Sequence, residues 1–203
     1  MSDITRDSAL MMPGLSMACL EALGAGVLSV FQPSALLSPQ PLDIAGWIDR
    51  ILPRFGVHVA PAGESELGDC AALTIVSGNF ECEILIREWM WNDLANETRP
   101  NFARATVVHE IAHAILHVPM LRSGAAMESV EPDAPVPAFR DPEWQAWAFA
   151  GCILMPRRTL TMLAQLDTET VADAYIVSAQ FAQAHLKRLK IFSEANNDVV
   201  GRL

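Results

Sequence analysis

The chain has 203 residues, of which 51% are apolar and 19% charged, enough to bury a hydrophobic core, so a disordered ground state is excluded. Its 14 basic and 24 acidic side chains give a net charge of −10. Phosphate backbones repel such a chain, which excludes broad nucleic-acid binding as the default function. The charge is uneven, since residues 151–203 carry 6 basic and 5 acidic side chains. Any contact with a polyanion is therefore expected in the C-terminal quarter.

Residues 1–40 are predicted to form an apolar helix and a linker. The segment Leu10–Phe31 is strongly apolar, but its start carries Asp3 where a signal peptide would carry Lys or Arg. Glu21 lies in the middle of the segment, where lipid would make a carboxylate costly, so no membrane span is expected. We expect the helix to pack on the core, or to form a contact between copies of the chain, before the proline-containing linker Pro33–Pro41.

Residues 41–203 are predicted to form one domain, which begins with a helix and a strand. Apolar residues recur at helical spacing between Leu42 and Phe55. Gly56 is expected to end that helix, and Val57–Val59 reads as a short strand. The stretch 60–69 contains Pro, Gly and acidic residues and is predicted to be a loop.

A β-hairpin is predicted next. The β-rich runs Ala72–Val76 and Phe80–Arg87 flank Ser77-Gly78-Asn79, which is typical of a hairpin turn. Together with the preceding strand, these runs predict a small antiparallel sheet. The run Glu81–Arg87 is a candidate edge strand, to which an extended substrate could add by backbone pairing. An ordinary hairpin strand is the alternative.

Two long helices are predicted around a proline-rich loop. The first begins near Asn101 and is expected to end near His117, because Pro119 cannot donate a backbone hydrogen bond. Residues 118–140 read as a long loop. The second helix begins with Asp141 as N-cap and Pro142 at its first position. It runs to Met155, and residues 156–192 are expected to form short closing helices, with helices at Thr168–Tyr175 and Ser178–Lys190.

The sequence His109-Glu110-Ile111-Ala112-His113 is an HExxH motif inside the first long helix. Positions four apart share a helix face, so both imidazoles can reach one metal ion. Glu110 is offset from His109 by about 100°, which lets it hydrogen-bond a water on that ion. The pattern is typical of zinc hydrolases. A helix with two partly buried structural histidines is the alternative.

A catalytic zinc site needs a third protein ligand, and spacing alone leaves several candidates open. These candidates are His117, Glu128, Glu131, Asp133, Asp141 and Glu143. His117 lies about 12 Å along the helix axis from His109, too far to share one ion, which favours a supporting role. Glu143 is favoured because it enters a long apolar helix, where a carboxylate needs a cation or another partner. The alternative is an ordinary acid in a first helical turn.

Two motifs in this order resemble the ImmA/IrrE family of metallopeptidases. Thr106–His117 resembles the family's HExGH-type helix, and Glu143–Pro156 resembles its E-x-x-A-N-x-F-A-x-x-L-L-M-P helix. The resemblance spans about residues 100–192 and includes a C-terminal helix pair. Two positions depart from the family pattern: Ala112 stands where Gly is usual, and Trp147 stands where Asn is usual. A polar role of that Asn is therefore lost.

The resemblance implies an α+β fold, with a mostly helical zincin-like metallopeptidase core, a small antiparallel sheet and C-terminal helices. It implies that His109, His113 and Glu143 hold Zn²⁺ and that Glu110 is the general base. Zinc would lower the pKa of its water towards about 7. Glu110 would take the proton as that water attacks a peptide carbonyl, and would pass it to the leaving nitrogen. The donor to the oxyanion stays open among His58, Arg104, Tyr175 and His185.

The resemblance further implies a cytosolic zinc endopeptidase whose substrate is a helix-turn-helix transcriptional repressor, in a stress, DNA-damage, mobile-element or defence circuit. Four scattered cysteines without a CxxC pair suit a reducing cytosol. The alternative is a non-catalytic or DNA-interacting regulator. It rests on Val171–Leu189, which has the length of a helix-turn-helix unit and carries Lys187, Arg188 and Lys190 at its end.

Overall fold

The computed structural model describes residues 9–77, 81–94, 102–123, 128–130 and 135–191. The helices of this part are α1 (Met17–Phe31), α2 (Ile44–Gly46), α3 (Glu64–Leu67), α4 (Glu88–Leu94), α5 (Phe102–Arg122), α6 (Pro142–Leu154), α7 (Arg157–Leu160), α8 (Thr168–Tyr175) and α9 (Ala179–Leu189). The strands are β1 (Ala9–Met11), β2 (Val57–Ala62), β3 (Ala72–Val76), β4 (Cys82–Arg87) and β5 (Glu128–Val130). Turns of 3₁₀-helix lie at Pro33–Leu36, Leu52–Phe55 and Ala138–Arg140, and a π-helical turn at Trp47–Ile51. The fold class is α+β, as predicted.

Three strands form a mixed sheet with β4 in the centre. β3 pairs antiparallel with β4, with Ala72 opposite Ile86 and Val76 opposite Cys82, as the hairpin prediction required. The predicted turn residues Gly78 and Asn79 lie outside the described residues. β2 pairs parallel with the other side of β4. The prediction of a purely antiparallel sheet is therefore wrong, because β2 and β4 are separated along the chain by β3 and no local turn signal reveals their pairing.

The exposed edge of this sheet is not the run 81–87. Among the described strands, β4 is central, and β3 and β2 form the two edges. β3 also packs against α5. A substrate strand that adds to the sheet beside the metal-binding motif would therefore pair with β3.

The helix predicted between Leu42 and Phe55 is a succession of short turns. It passes from α2 through the π-helical turn at Trp47–Ile51 into the 3₁₀ turn that contains Pro53. Gly56 ends the segment in the left-handed region, with φ of 69°, as predicted from the freedom of glycine at helix ends.

The helix that carries the HExxH motif is longer than predicted. α5 continues through Pro119 to Arg122. Pro119 lies in the last turn and is exposed, so its missing N–H costs one hydrogen bond at a place where water can reach the free carbonyl. The next turn closes normally, with Ser123 N donating to the Pro119 carbonyl at 3.0 Å.

The second motif helix begins as predicted. The Asp141 carboxylate accepts a hydrogen bond from the Glu143 backbone N–H at 2.9 Å. Pro142 occupies the first helical position, where no donor is needed. This cap fixes Glu143 in the first turn of α6. The predicted helices α8 and α9 follow, separated by Ile176 in a left-handed conformation with φ of 53°.

The N-terminal apolar segment divides into a strand and a helix. β1 pairs antiparallel with β5, and α1 begins only after the Ser16 N-cap. Leu20 and Leu28 are fully buried, and a Cβ on Gly24 would lie 3.1 Å from the Cβ of Cys152 on α6. α1 therefore packs on the core through α6, which was the preferred expectation. Within the described ranges, none of the helices combines the length and the hydropathy needed to cross a bilayer.

Candidate metal centre

Two histidine nitrogens converge on one face of α5. His109 and His113 are one helical turn apart, and their Nε2 atoms lie 3.1 Å from each other. His109 is 5% exposed, and the side chain of His113 is 16% exposed. Two nitrogen lone pairs at this separation repel each other unless a proton or a cation lies between them. The helix spacing thus produces the arrangement that the motif predicted.

Glu143 completes a group of three donors from the adjacent helix α6. Its Oε2 lies 3.2 Å from His109 Nε2, and its Oε1 lies 3.4 Å from His113 Nε2. Two ligand atoms that are each about 2.0–2.1 Å from a tetrahedral zinc ion lie about 3.3 Å apart. The two histidine nitrogens are separated by nearly that distance, and each of them lies at a similar distance from one of the two Glu143 oxygens, so the donor set fits a tetrahedral metal ion. Among the described residues, His109, His113 and Glu143 are the one group of three or more His, Cys, Asp or Glu side chains whose ligand atoms lie close enough together to hold a metal ion.

The centre is open to solvent on the side of Glu143. The Glu143 side chain is 64% exposed, whereas His109 is buried. The hydrogen bond with His109 lowers the pKa of Glu143, so the carboxylate is ionised at neutral pH. A tetrahedral metal ion held by these three side chains would keep a fourth position, and the open side would give water or a substrate access to it.

Glu110 is held by a side chain from the sheet. Thr74 of β3 donates from Oγ1 to Glu110 Oε2 at 2.6 Å. Glu110 is only 8% exposed, and burial raises the pKa of its carboxyl group. A raised pKa brings a carboxylate closer to the range in which it accepts and returns protons efficiently near neutral pH. Glu110 has one carboxylate oxygen bound to Thr74 and does not belong to the group of three donors.

His117 lies behind His113 and away from the open face. Its Nδ1 is 3.0 Å from His113 Nδ1, and its Nε2 is 3.0 Å from Gln145 Oε1. The supporting role expected for His117 agrees with this contact. Burial lowers the pKa of His113 to about 3 and also lowers the pKa of His117. Both rings are therefore neutral at neutral pH, as metal binding by His113 requires.

His109 is held by stacking. Its ring lies on the indole of Trp147, with centroids 4.0 Å apart and an interplanar angle of 27°. Trp147 in turn packs against Phe181 of α9, with centroids 5.8 Å apart. The Nδ1 atom of His109 is buried and has no hydrogen-bond partner among the described residues. His109 and His113 thus face the same point but are positioned by different physical means.

One comparison with known proteins finds a match for the part of the chain that holds this centre. The family model Peptidase_M78, described as an IrrE N-terminal-like domain, matches residues 94–187. Residues 94–187 are thus similar to a Peptidase_M78 domain. The match confirms the resemblance to the ImmA/IrrE family. Peptidases of the M78 family are metallopeptidases. No curated protein matches the chain.

The matched residues 94–187 contain all three converging donors, and the other acidic candidates are not seen at the centre among the described residues. Asp141 is the N-cap of α6. Glu131 and Asp133 lie outside the described residues, and of Glu128 only the backbone is described, in β5.

The four open candidates for an oxyanion donor do not join the centre. Tyr175 is fully buried and donates to Thr159 Oγ1 at 3.0 Å, and His185 is fully buried against the Met155 carbonyl. Arg104 is buried and donates to the Leu42 carbonyl at 2.7 Å. His58 lies on β2, at the sheet edge opposite β3.

Two polar residues of the site were missed by the sequence reasoning. Thr74 carries no signal of its own, because its contact with Glu110 depends on how β3 packs against α5. Gln145 did carry a signal. It is an uncharged polar residue in an otherwise apolar stretch of α6 and is fully buried, so hydrogen-bond partners were to be expected.

The C-terminal helices do not favour the DNA-interacting alternative. α9 turns Phe181, Ala182 and Leu186 into the core. Arg188 is half-buried, whereas Lys187 and Lys190 are exposed, so Arg188 adds little to a basic surface at the end of α9.

Proposed function

We propose that the protein is a zinc-dependent endopeptidase whose metal ligands are His109, His113 and Glu143. The observation that carries the proposal is the convergence of two histidine nitrogens and the Glu143 carboxylate at separations of 3.1–3.4 Å, with one side open. A bound zinc ion would polarise the scissile carbonyl and lower the pKa of the attacking water. Two imidazoles and one carboxylate are a donor set that zinc uses in hydrolytic sites.

Glu110 acts as the general base in this proposal. It accepts a proton from water at its carboxylate and delivers that proton to the leaving nitrogen of the peptide. Its low exposure and raised pKa support the role. Thr74 fixes one carboxylate oxygen, which leaves the other to face the reacting atoms.

The substrate binds in an extended form along β3. This strand is an edge of the sheet among the described strands, and its Thr74 touches Glu110. A polypeptide that pairs with β3 would therefore pass beside the general base. The resemblance to the ImmA/IrrE family favours a helix-turn-helix repressor as this substrate, in the cytosol and in a stress, DNA-damage, mobile-element or defence circuit.

Cleavage of a repressor encoded beside this protein tests the proposal. The purified chain with zinc is incubated with that repressor, next to the variants Glu110→Gln and Glu143→Ala. We expect cleavage by the wild type only. Glu110→Gln should keep its zinc, because Glu110 is not a ligand, whereas Glu143→Ala should lose most of it.

Two further variants separate Glu143 from the acids of the loop. Glu131→Ala and Asp133→Ala should retain both zinc and cleavage. Loss of zinc in either of them, or wild-type cleavage by Glu110→Gln, would contradict the assignment of roles.

We also propose that α1 provides a contact between copies of the chain. Val30 is 70% exposed and Leu23 is 45% exposed, and an exposed apolar helix face favours association. Sedimentation of the wild type and of Val30→Lys tests this, and a monomeric wild type would contradict it.

A further inference from the structure

The side-chain amide of Gln145 has a fixed orientation. One of its terminal atoms lies 2.9 Å from the Pro13 carbonyl and 2.8 Å from the Phe139 carbonyl. A carbonyl oxygen only accepts hydrogen bonds, so the atom that faces two of them is the amide nitrogen, Nε2. Gln145 is fully buried, so no water substitutes for these partners. Oε1 of Gln145 therefore points at His117.

This orientation determines where His117 carries its proton. Oε1 of Gln145 is an acceptor, and it lies 3.0 Å from His117 Nε2. The proton of neutral His117 therefore sits on Nε2, and Nδ1 of His117 is left with a lone pair.

The lone pair of His117 determines the proton position of His113 in the same way. The two Nδ1 atoms are 3.0 Å apart, and a hydrogen bond between them needs one donor. Since His117 Nδ1 is the acceptor, His113 Nδ1 carries the proton. His113 Nε2 then has a free lone pair, and this is the atom that faces His109 and Glu143.

We infer that Gln145 and His117 are positioning residues, which hold His113 in the tautomer and orientation that a metal ion requires. The inference rests on the proposed metal centre. The contacts that support the centre also reach beyond residues 94–187, the part that matches the family model, because the Pro13 carbonyl belongs to the N-terminal segment.

The N-terminal segment is itself tied to the chain around Phe139. Met12 N donates to the Arg140 carbonyl at 2.9 Å, and Leu15 N donates to the Phe139 carbonyl at 2.8 Å. These bonds hold the Pro13 and Phe139 carbonyls at Gln145 together. The chain of hydrogen bonds thus runs from the N-terminal segment through Gln145 and His117 to the metal ligand His113.

The first test reads the proton positions directly. Long-range ¹⁵N–¹H correlation spectra distinguish the two tautomers of a histidine, and they are recorded on the wild-type protein without metal and after addition of one equivalent of zinc. We expect His117 as the Nε2–H form and His113 as the Nδ1–H form in both samples. A proton on His117 Nδ1 would overturn the inference, and this test needs no variant that must fold.

The second test is zinc affinity, measured by competition with a chromophoric chelator. Gln145→Met keeps the length of the side chain but removes both the acceptor and the donors. We expect its zinc affinity to fall about 10- to 100-fold, as is typical when the partner of a metal-bound histidine is lost. The matched control is Tyr175→Phe, which also removes a fully buried hydrogen bond, between Tyr175 and Thr159. It should bind zinc like the wild type.

The outcomes separate this inference from the proposed function. A wild type that binds no zinc would refute the metal centre itself. A wild type and a Gln145→Met variant that bind zinc equally well would refute the positioning role alone. Equal losses in Gln145→Met and Tyr175→Phe would also overturn it, since the effect would then follow from general destabilisation.

Discussion

Replacing His185 by Gln should reduce the sensitivity of the fold to acid. His185 is fully buried on α9, and its Nε2 donates to the Met155 carbonyl at 3.2 Å. A Cβ added to Gly151 of α6 would lie 2.1 Å from its Nδ1. Burial, together with the positive charges of Arg188 and Arg157, lowers the pKa of His185 to about 3. The folded protein therefore keeps this ring neutral.

The sign and size of the effect follow from the two pKa values. Unfolded histidine takes up a proton below its ordinary pKa of 6.5, whereas folded His185 does so only near pH 3. The unfolded state binds more protons in this window, so stability is present above pH 6.5 and is lost as the pH falls. One such group contributes about 1.4 kcal/mol per pH unit, or about 2 kcal/mol between about pH 8 and about pH 5.

Urea unfolding of metal-free wild type and His185→Gln, at several pH values in this range, measures the difference. Gln retains an N–H for the Met155 carbonyl but does not titrate. The wild type and the variant have all other histidines in common, so these contribute equally to both. We expect the free energy of unfolding of the wild type to fall by about 2 kcal/mol more than that of the variant. Equal losses would refute the buried, neutral state of His185 and the packing of α9 on α6.

Thr74→Val removes the hydroxyl that donates to Glu110. It should lower kcat about 10- to 100-fold, since hydrogen bonds to charged groups are worth about 1.5–3 kcal/mol, while the zinc content stays unchanged. Thr74→Ser keeps the hydroxyl and should retain activity. Equal kcat values for Thr74→Val and Thr74→Ser would contradict the role of the hydroxyl. In native protein, a thiol reagent should modify exposed Cys19 but not Cys82 or Cys152, because burial raises the pKa of these two thiols to about 11 and about 12. Fast modification of Cys152 would argue against the packing of α1 on α6.

The parts of the site that sequence predicted are those fixed by local geometry. The spacing of His109 and His113 is a property of any helix, and the Asp141-Pro142 pair starts α6 in a way that places Glu143 in its first turn. The choice of Glu143 among several acids needed the family resemblance. The sequence gives no distance between α5 and α6, which decides whether the three donors converge.

The parts that sequence did not predict depend on contacts between distant segments. Thr74 meets Glu110 only because β3 is the edge strand beside α5. Gln145 finds its partners in Pro13 and Phe139, which no local pattern links. The parallel pairing of β2 with β4 was missed for the same reason.

X-ray absorption at the zinc edge of the zinc-loaded protein tests the metal centre most directly. We predict one zinc ion with nitrogen and oxygen ligands at about 2.0–2.2 Å, two of them imidazoles, and no sulfur. His113→Ala, prepared in parallel, should lose the signal of bound zinc. A sulfur ligand at about 2.3 Å, or zinc retained by His113→Ala with unchanged ligands, would contradict the assignment of His109, His113 and Glu143.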